Sequence, residues 1–343
     1  MRVTACVICW NAADEIAGVC ETLAAQTYPD TDIVVIDNAS ADGSAEVIAD
    51  RDDLTLIRNA TNLGFAGAAN QGLDHARDQG SDVFVTINPD VRLEPDYLEH
   101  AVAALRCDDR RAAVQGRLWR YDPAEGPRRD LDPATRMIDT TGHLAFRTRL
   151  FRNRGEGAAD AGRWDEPGEV FGVSGAVGCY RIAALEDVAV DGQAFEEALF
   201  AFWEDVDLDW RLHLRGWQVW YQPAAHGWHE RGGAGPRRSA VVERLNYTNR
   251  LHVVLANDDL ASLLRAGPGV FVTTALKTVE LMLTVPSAFI RSLADLRRLP
   301  ATLRRRRIIQ AQATVDPAEI AVRWFEPFDY RAWFATWYRR VRG

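Results

Sequence analysis

Residues 2–40 read RVTACVICWNAADEIAGVCETLAAQTYPDTDIVVIDNAS. The apolar run VTACVIC is short and rich in β-branched residues, which predicts a strand buried on both faces. Ala13 to Gln26 carries a helical pattern that Tyr28-Pro29-Asp30 ends. TDIVVID then predicts a second buried strand, running into the polar turn at Asn38. A strand, a helix and a second strand in so short a span imply a parallel pair joined by a right-handed crossover.

Outward from that unit the alternation continues. Ser44 to Asp50 reads as helix and LTLIRN (54–59) as a third strand. GFAGAANQGLDHARDQG (64–80) is a small-residue helix ending at Gly80, and SDVFVTINPD (81–90) a fourth strand entering a turn. The expected fold is α/β, a Rossmann-like, mostly parallel sheet flanked by helices. Ligands of such sheets bind beyond the carboxyl ends of strands. Asn11, Asp37-Asn38 and Asn88-Pro89-Asp90 lie at those ends.

Past residue 110 the pattern loosens. Residues 111–170, rich in Arg, Asp, Gly and Pro, read as an irregular excursion with a hairpin. VFGVSGAVGCYR (170–181) resumes a strand, with small residues where something approaches the backbone. WQVWYQP (217–223) is another strand, AAHGWHERGGAGPRR (224–238) a glycine-rich loop, and everything beyond Ser239 helical. The organisation expected is one unit over 1–238, divided near 110, and a helical region over 239–343.

Bulk properties narrow the function. A net charge of -9 disfavours a general nucleic-acid binder. From Arg291 onward there are 12 Arg against 5 acids, so the basic part is the tail. Five scattered cysteines argue against a disulfide scaffold and for a reducing compartment. Cys6 and Cys9 form a C-x-x-C inside the first strand, where they would point to opposite faces. The N-terminus runs straight into that strand, so no signal peptide is read there. Neither G-x-G-x-x-G nor G-x-x-x-x-G-K-[ST] occurs.

What remains are acids and a histidine. Asp37 reads either as a turn-forming Asx residue or as an acceptor for a nucleobase N–H. Asp90 reads as a turn residue, as a ligand for a hard divalent cation carrying a diphosphate, or as both. His229, with His226 nearby and Gly232-Gly233 after it, could complete that cation site. FAFWEDVDLDWRLHLRGW (200–217) packs Glu204, Asp205, Asp207 and Asp209 between two tryptophans. As a plain amphipathic helix it would turn Asp207, Asp209 and Arg211 to water and Val206, Trp210, His213 and Leu214 inward. As part of a site, burial among Phe202, Trp203 and Trp210 would make one carboxylate a better base, and the tryptophan faces could hold a sugar ring.

The segments VICWNAADEI, VVIDNASADGS, NLGFAGAANQGL, TINPDVRL, VSGAVGCYR, FEEALFAFWEDVDLDWRLHLRGW and YQPAAHGWHERGG occur in that order. With them, over residues 3 to about 233, the chain resembles the family 2 glycosyltransferases, inverting enzymes of GT-A fold. Within these it is most similar to the rhamnosyltransferase-like branch. The resemblance implies that Asp37 binds the base, that Asn88 and Asp90 occupy the D-x-D positions, and that Asp90 and His229 hold Mg or Mn. Asn11, Asn62, Gly64 and Asn70 would shape the donor pocket. Asp205 would be the catalytic base, Glu204 its support, and Trp203 and Gly175 would face the acceptor. Asp207 and Asp209 would be structural, pairing with Arg211 or Arg215. Two departures stand out: Trp10 precedes Asn11 where the family often has Tyr or Phe, and Asn88 replaces the first Asp, a change common in that branch.

The function implied is transfer of rhamnose from dTDP-rhamnose to a lipid-linked cell-surface glycan. Use of a UDP- or GDP-hexose, or a silent sugar-nucleotide-binding module, stays open. PGVFVTTALKTVELMLTVPSAFI (268–290) reads as an amphipathic interfacial segment, interrupted by Lys277, Glu280 and Pro286. With the Arg304–Arg307 run it suits an anionic membrane surface and a cytoplasmic, peripheral location. A helix packed on the protein or in a homo-oligomer would use the same residues.

Overall fold

The computed structural model describes residues 1–230 and 239–342. Gly232 and Gly233 of the expected glycine-rich loop lie outside the described residues. The N-terminal elements run β1 Val3–Cys9, α1 Ile16–Ala24, β2 Thr31–Asp37, α2 Ser44–Val47, β3 Thr55–Arg58, α3 Gly64–Asp78, β4 Val83–Ile87, β5 Val91–Leu93 and α4 Tyr97–Arg106. The middle of the chain adds β6 Arg111–Arg120, β7 Ile138–Thr140, β8 His143–Phe146, β9 Phe151–Asn153, β10 Gly168–Glu169, β11 Val177–Arg181, α5 Ile182–Asp187, α6 Glu204–Leu214 and β12 Gln218–His229. The C-terminal region is α7 Ala240–Asn257, α8 Leu260–Thr284, α9 Pro286–Ala294, α10 Leu299–Gln312, α11 Pro317–Trp324, β13 Phe325–Glu326 and α12 Tyr330–Arg342.

The main sheet has the strand order β10-β12-β6-β11-β4-β1-β2-β3, with β5 on β12 and β7 on β6. β1, β2, β3 and β4 are parallel, as the opening alternation requires. β11 inserts antiparallel between β4 and β6. Each face of the sheet carries its own core. Cys9, Val35, Val85 and Leu98 lie on one side, and Cys6, Val34, Phe84 and Leu212 on the other. The C-x-x-C cysteines are therefore buried on opposite faces and unpaired.

The irregular reading of 111–170 fails at its start. Residues 111–120 form a ten-residue strand, almost wholly buried, in the middle of the sheet. Gln115, Gly116 and Arg117 interrupt its apolar pattern, and each has a structural reason. Gln115 accepts from Ser174 N at 2.7 Å, and Arg117 pairs with the buried Asp160 at 2.9 Å. A Cβ at Gly116 would meet the Tyr97 ring and the Ala225 carbonyl at 2.5–2.6 Å. The expected loop after residue 223 is corrected in the same way, since β12 continues to His229 beside β6.

The helical C-terminal region is tied to the rest by polar contacts as well as packing. β13 extends the β8–β9 hairpin in parallel. Arg305 of α10 reaches Asp207 of α6 at 2.8 Å, and Asn257 of α7 donates to the same carboxylate at 2.7 Å.

Candidate active site

The sheet register assembles the first half of the site. β12 runs antiparallel to β5 with His229 opposite Val91, which places the imidazole beside Asp90. His229 Nε2 lies 3.2 Å from Asp90 Oδ1. Its Nδ1 bonds Asp139 Oδ2 on β7 at 2.8 Å, and Asp139 is fully buried. Burial disfavours the imidazolium, but hydrogen bonds to Asp139 and Asp90, and their charges, outweigh it and lift His229 to about 9. Asp139 is the residue that sequence reading missed. Ninety positions separate it from its partner.

This donor set fits a divalent cation. Asp90 offers hard oxygen. A cation there would have to displace the proton that Asp90 and Asp139 help to keep on the ring, with Nδ1–H remaining on Asp139 and Nε2 turned to Asp90. A carboxylate behind a ligating histidine is the usual way such a ring is oriented. Among the described residues no three His, Cys, Asp or Glu side chains converge on one point.

Asp205 opens α6. Its Oδ2 accepts from Gly175 N at 2.9 Å and its Oδ1 from Val206 N at 2.8 Å. The side chain stays 18% exposed, so it can meet a substrate. The same 174–176 segment links Asp205 to the Asp90–His229 pair, because Asn88 N at the end of β4 donates to Ala176 O at 2.9 Å. Glu204 is different. It is buried, with Oε2 lacking a hydrogen-bond partner among the described residues. Burial, then the neighbouring Asp205 charge, push its carboxyl well above the usual range.

The expected division of α6 into a wet and a dry face is overturned. Asp207, Asp209 and Arg211 are all buried. Asp207 pairs with Arg211 at 2.9 Å and with Arg305. Asp209 Oδ2 sits 2.9 Å from His143 Nδ1, while its Oδ1 accepts from Val173 N at 3.2 Å. Trp210 belongs to a core with Phe151, Phe171 and Phe325 and cannot stack on a sugar. Trp203 packs edge-on against Phe151 at 5.6 Å. Phe200 and Phe202, just before α6, and Trp10, just after β1, are exposed.

The chain enters α6 under strain. Phe200, Phe202 and Trp203 all have positive φ, at 66°, 67° and 78°. Each costs roughly 1 kcal/mol or more and persists only where its surroundings enforce it. Asn249 of α7 enforces it here. It is fully buried, and its Nδ2 donates to Leu199 O, Ala201 O and Phe202 O at 2.8–2.9 Å. The C-terminal helices thus hold the loop that presents Asp205.

The other expected residues sort by their contacts. Asp37 is buried and its Oδ1 accepts from Ser40 N, three residues on, at 3.3 Å, which ties down the turn after β2. Asn11 (φ 51°) accepts from Ala41 N at 2.8 Å and so shapes the same turn. Asn62 Oδ1 accepts from Asn38 Nδ2 and from Gly64 N. A Cβ at Gly64 (φ +75°) would strike Phe200 O at 2.3 Å, so glycine is required where α3 meets the strained loop. Asn70 clamps Phe195 and Glu197. His226 stacks on Trp119 at 5.0 Å, apart from His229 in role.

Residues 4–163 match the family model described as Glycosyl transferase family 2. A poly-beta-1,6-N-acetyl-D-glucosamine synthase from Staphylococcus aureus (strain MSSA476) is 24% identical over 230 residues, covering 66% of this chain and 49% of that protein. The chain spans about half the length of the curated relatives it matches. Among solved structures, a mannosyltransferase from Pyrobaculum calidifontis in complex with GDP-Man and Mn2+ aligns at TM-score 0.51 and 20% identity, over 99% of this chain and 85% of that one. Residues 1–349 of S. aureus TarS in complex with UDP-GlcNAc align at TM-score 0.54 and 16% identity, over 87% and 81%. GalNAc-T7 with UDP, GalNAc and Mn2+ aligns at TM-score 0.59 and 12% identity, over 94% and 58%. These likenesses establish the GT-A type of fold. The residues matched by the family model, 4–163, run from β1 through β9 and carry Asp90 and Asp139.

Proposed function

We propose that the protein is an inverting glycosyltransferase that takes a nucleoside diphosphate sugar and builds a cell-surface glycan. One observation carries the reading. The 174–176 segment is bonded on one side by the Asp205 carboxylate and on the other by the strand end that leads to Asp90. Base and diphosphate-binding pair thus share one end of the sheet. In the reaction an acceptor hydroxyl attacks the sugar's C1 from the face opposite the diphosphate. Its proton passes to Asp205, and the C1–O bond breaks with its electron pair leaving on the diphosphate. A divalent cation held by Asp90 and His229 supplies charge for that leaving group. Glu204, buried beside Asp205 with its carboxyl pushed up by that burial, supports the base. The turn built by Asn11 and Asp37 receives the nucleoside, with Asn62 and Gly64 shaping the floor, Asn70 bracing it and Asn88 beside the diphosphate. Trp203 and Gly175 border the acceptor.

dTDP-rhamnose is the donor the sequence resemblance implies, and UDP-N-acetylglucosamine the donor that relatives' names favour. The acceptor we propose is lipid-linked, reached at the cytoplasmic face of the membrane through the C-terminal helices. Release of nucleoside diphosphate from dTDP-rhamnose, UDP-N-acetylglucosamine, UDP-glucose, UDP-galactose and GDP-mannose, with Mg, Mn or EDTA, separates the donors. We expect one donor to dominate, with a loss of about 10²- to 10⁴-fold in Asp205→Asn. Normal turnover by a folded Asp205→Asn protein would remove the base assignment.

A further inference from the structure

Behind Asp205 lies a buried line of groups that the proposed reaction does not yet use. His143 is the first residue of β8 and is 5% exposed. Its Nδ1 is bonded to Asp209 at 2.9 Å, and its Nε2 lies 3.6 Å from Asp205 Oδ2. That second distance is a charge contact, longer than a hydrogen bond. Resting on the reading of Asp205 as base, we propose that His143 is its positioning residue. Anchored by Asp209, the ring presents Nε2 to the Asp205 carboxylate and fixes both its rotamer and its ionised form.

The surroundings are built around this line. Asp209 is wedged so tightly under the chain at Gly172 that a Cβ there would lie 1.7 Å from its Oδ2. His143 N donates to the same Gly172 carbonyl at 2.9 Å, and Val173 N donates to Asp209. Two residues on, Gly175 N holds Asp205. One short segment therefore sets the spacing of all three side chains. An unpaired carboxylate as deep as Asp209 would be costly, so a fixed cationic partner is its physical justification.

Charge agrees with geometry. Burial pushes the Asp209 carboxyl up, to about 7. Burial also works against a charged His143, but the Asp205 charge and the Asp209 bond outweigh it and raise the ring above its ordinary value. The Asp209–His143 pair as a unit thus retains its proton. The titratable groups facing the line are Asp205, Asp209 and Glu204 from α6 and Tyr180 from β11. An imidazolium beside Asp205 favours the ionised base and offsets the repulsion from the acids around it.

The pH profile of donor turnover tests this, because a purely structural histidine would not move it. In His143→Gln we expect kcat to fall about tenfold or more with donor KM within about twofold. The acid limb of kcat should move upward by about one unit, the shift an opposite charge at this distance produces. Asp209→Asn keeps the ring but frees it from its anchor, and should lower kcat with donor KM within about twofold. It carries the test if His143→Gln does not fold. In the otherwise intact protein, the NMR titration midpoint of His143 should fall in Asp205→Asn. A limb that stays put in folded His143→Gln, an unchanged kcat in folded Asp209→Asn, or a midpoint indifferent to Asp205, overturns the proposal. The two readings fail separately. Loss of turnover in Asp205→Asn with an unmoved limb removes only the role of His143, whereas turnover that survives Asp205→Asn removes the base beneath it.

Discussion

At the scale of single residues, the site works through side chains one layer behind the reacting ones. Asp139 is the clearest case. It touches no substrate in our reading, yet it decides which nitrogen of His229 faces Asp90. Second-layer carboxylates of this kind typically govern about 10- to 100-fold in metal affinity. Asp139→Asn should weaken Mn2+ binding by that factor, read by calorimetry on the protein alone, without turnover. Unchanged affinity would mean that His229 is not a ligand. What sequence exposed was the position of Asp37, Asn88 and Asp90 at or just beyond strand ends, because a polar residue after a buried run has few places to go. Asp139 and His143 stayed hidden. Their partners are 90 and 66 positions away, and both lie in the stretch whose Arg, Asp, Gly and Pro content masks its strands.

At the scale of elements, α6 shows how a pattern misleads. Its alternation of acids with Val, Leu and Trp looks amphipathic, but every residue from Val206 to Leu214 is buried. The polar face met partners rather than water. Arg211, Arg305 and Asn257 surround Asp207, and burial's upward push loses to those two guanidiniums and the amide, leaving the carboxyl at about 2. A carboxyl held below its unfolded value of about 4 contributes stability that is complete above about pH 4. That contribution is lost as pH falls through about 2. Asp207→Asn leaves the buried Arg211 without its carboxylate and Arg305 with Glu196 alone, and should cost about 3–5 kcal/mol in urea unfolding at pH 7. The deficit should shrink between about pH 4 and 2 as the wild-type carboxylate titrates. A deficit that is the same at both ends of that range would show that Asp207 is not the ion the structure makes it. β6 was missed for a related reason, since Gln115 and Arg117 are polar residues satisfied by distant parts of the chain.

At the scale of the whole molecule, the C-terminal helices face two ways. Inward they hold the catalytic loop through Asn249 and α6 through Arg305. Outward they carry apolar side chains that stay exposed among the described residues. Leu260, Leu264, Phe271 and Met282 are exposed on α8, and at 100° per residue they fall on one stripe. Leu283, Ile290, Leu293 and Leu296 continue the exposed surface through α9. Among the described residues no helix is long and apolar enough to cross a membrane. The basic run, expected to meet lipid, is largely committed within the protein. Arg304 pairs with Asp191, Arg305 with Asp207 and Glu196, and Arg306 donates to the carbonyls of Leu255 and Asp258. The membrane association we propose therefore rests on apolar insertion more than on charge. Sedimentation with phosphatidylglycerol vesicles separates the two. Binding should weaken only modestly when salt is raised, because apolar burial is not screened. Phe271→Glu with Leu283→Glu removes two insertions worth about 1.5 kcal/mol each or more, which lowers vesicle affinity by about a hundredfold. Binding abolished by salt but indifferent to the double variant would return the role to the arginines. No binding at all, with self-association that the double variant abolishes, would assign the face to a second copy of the chain.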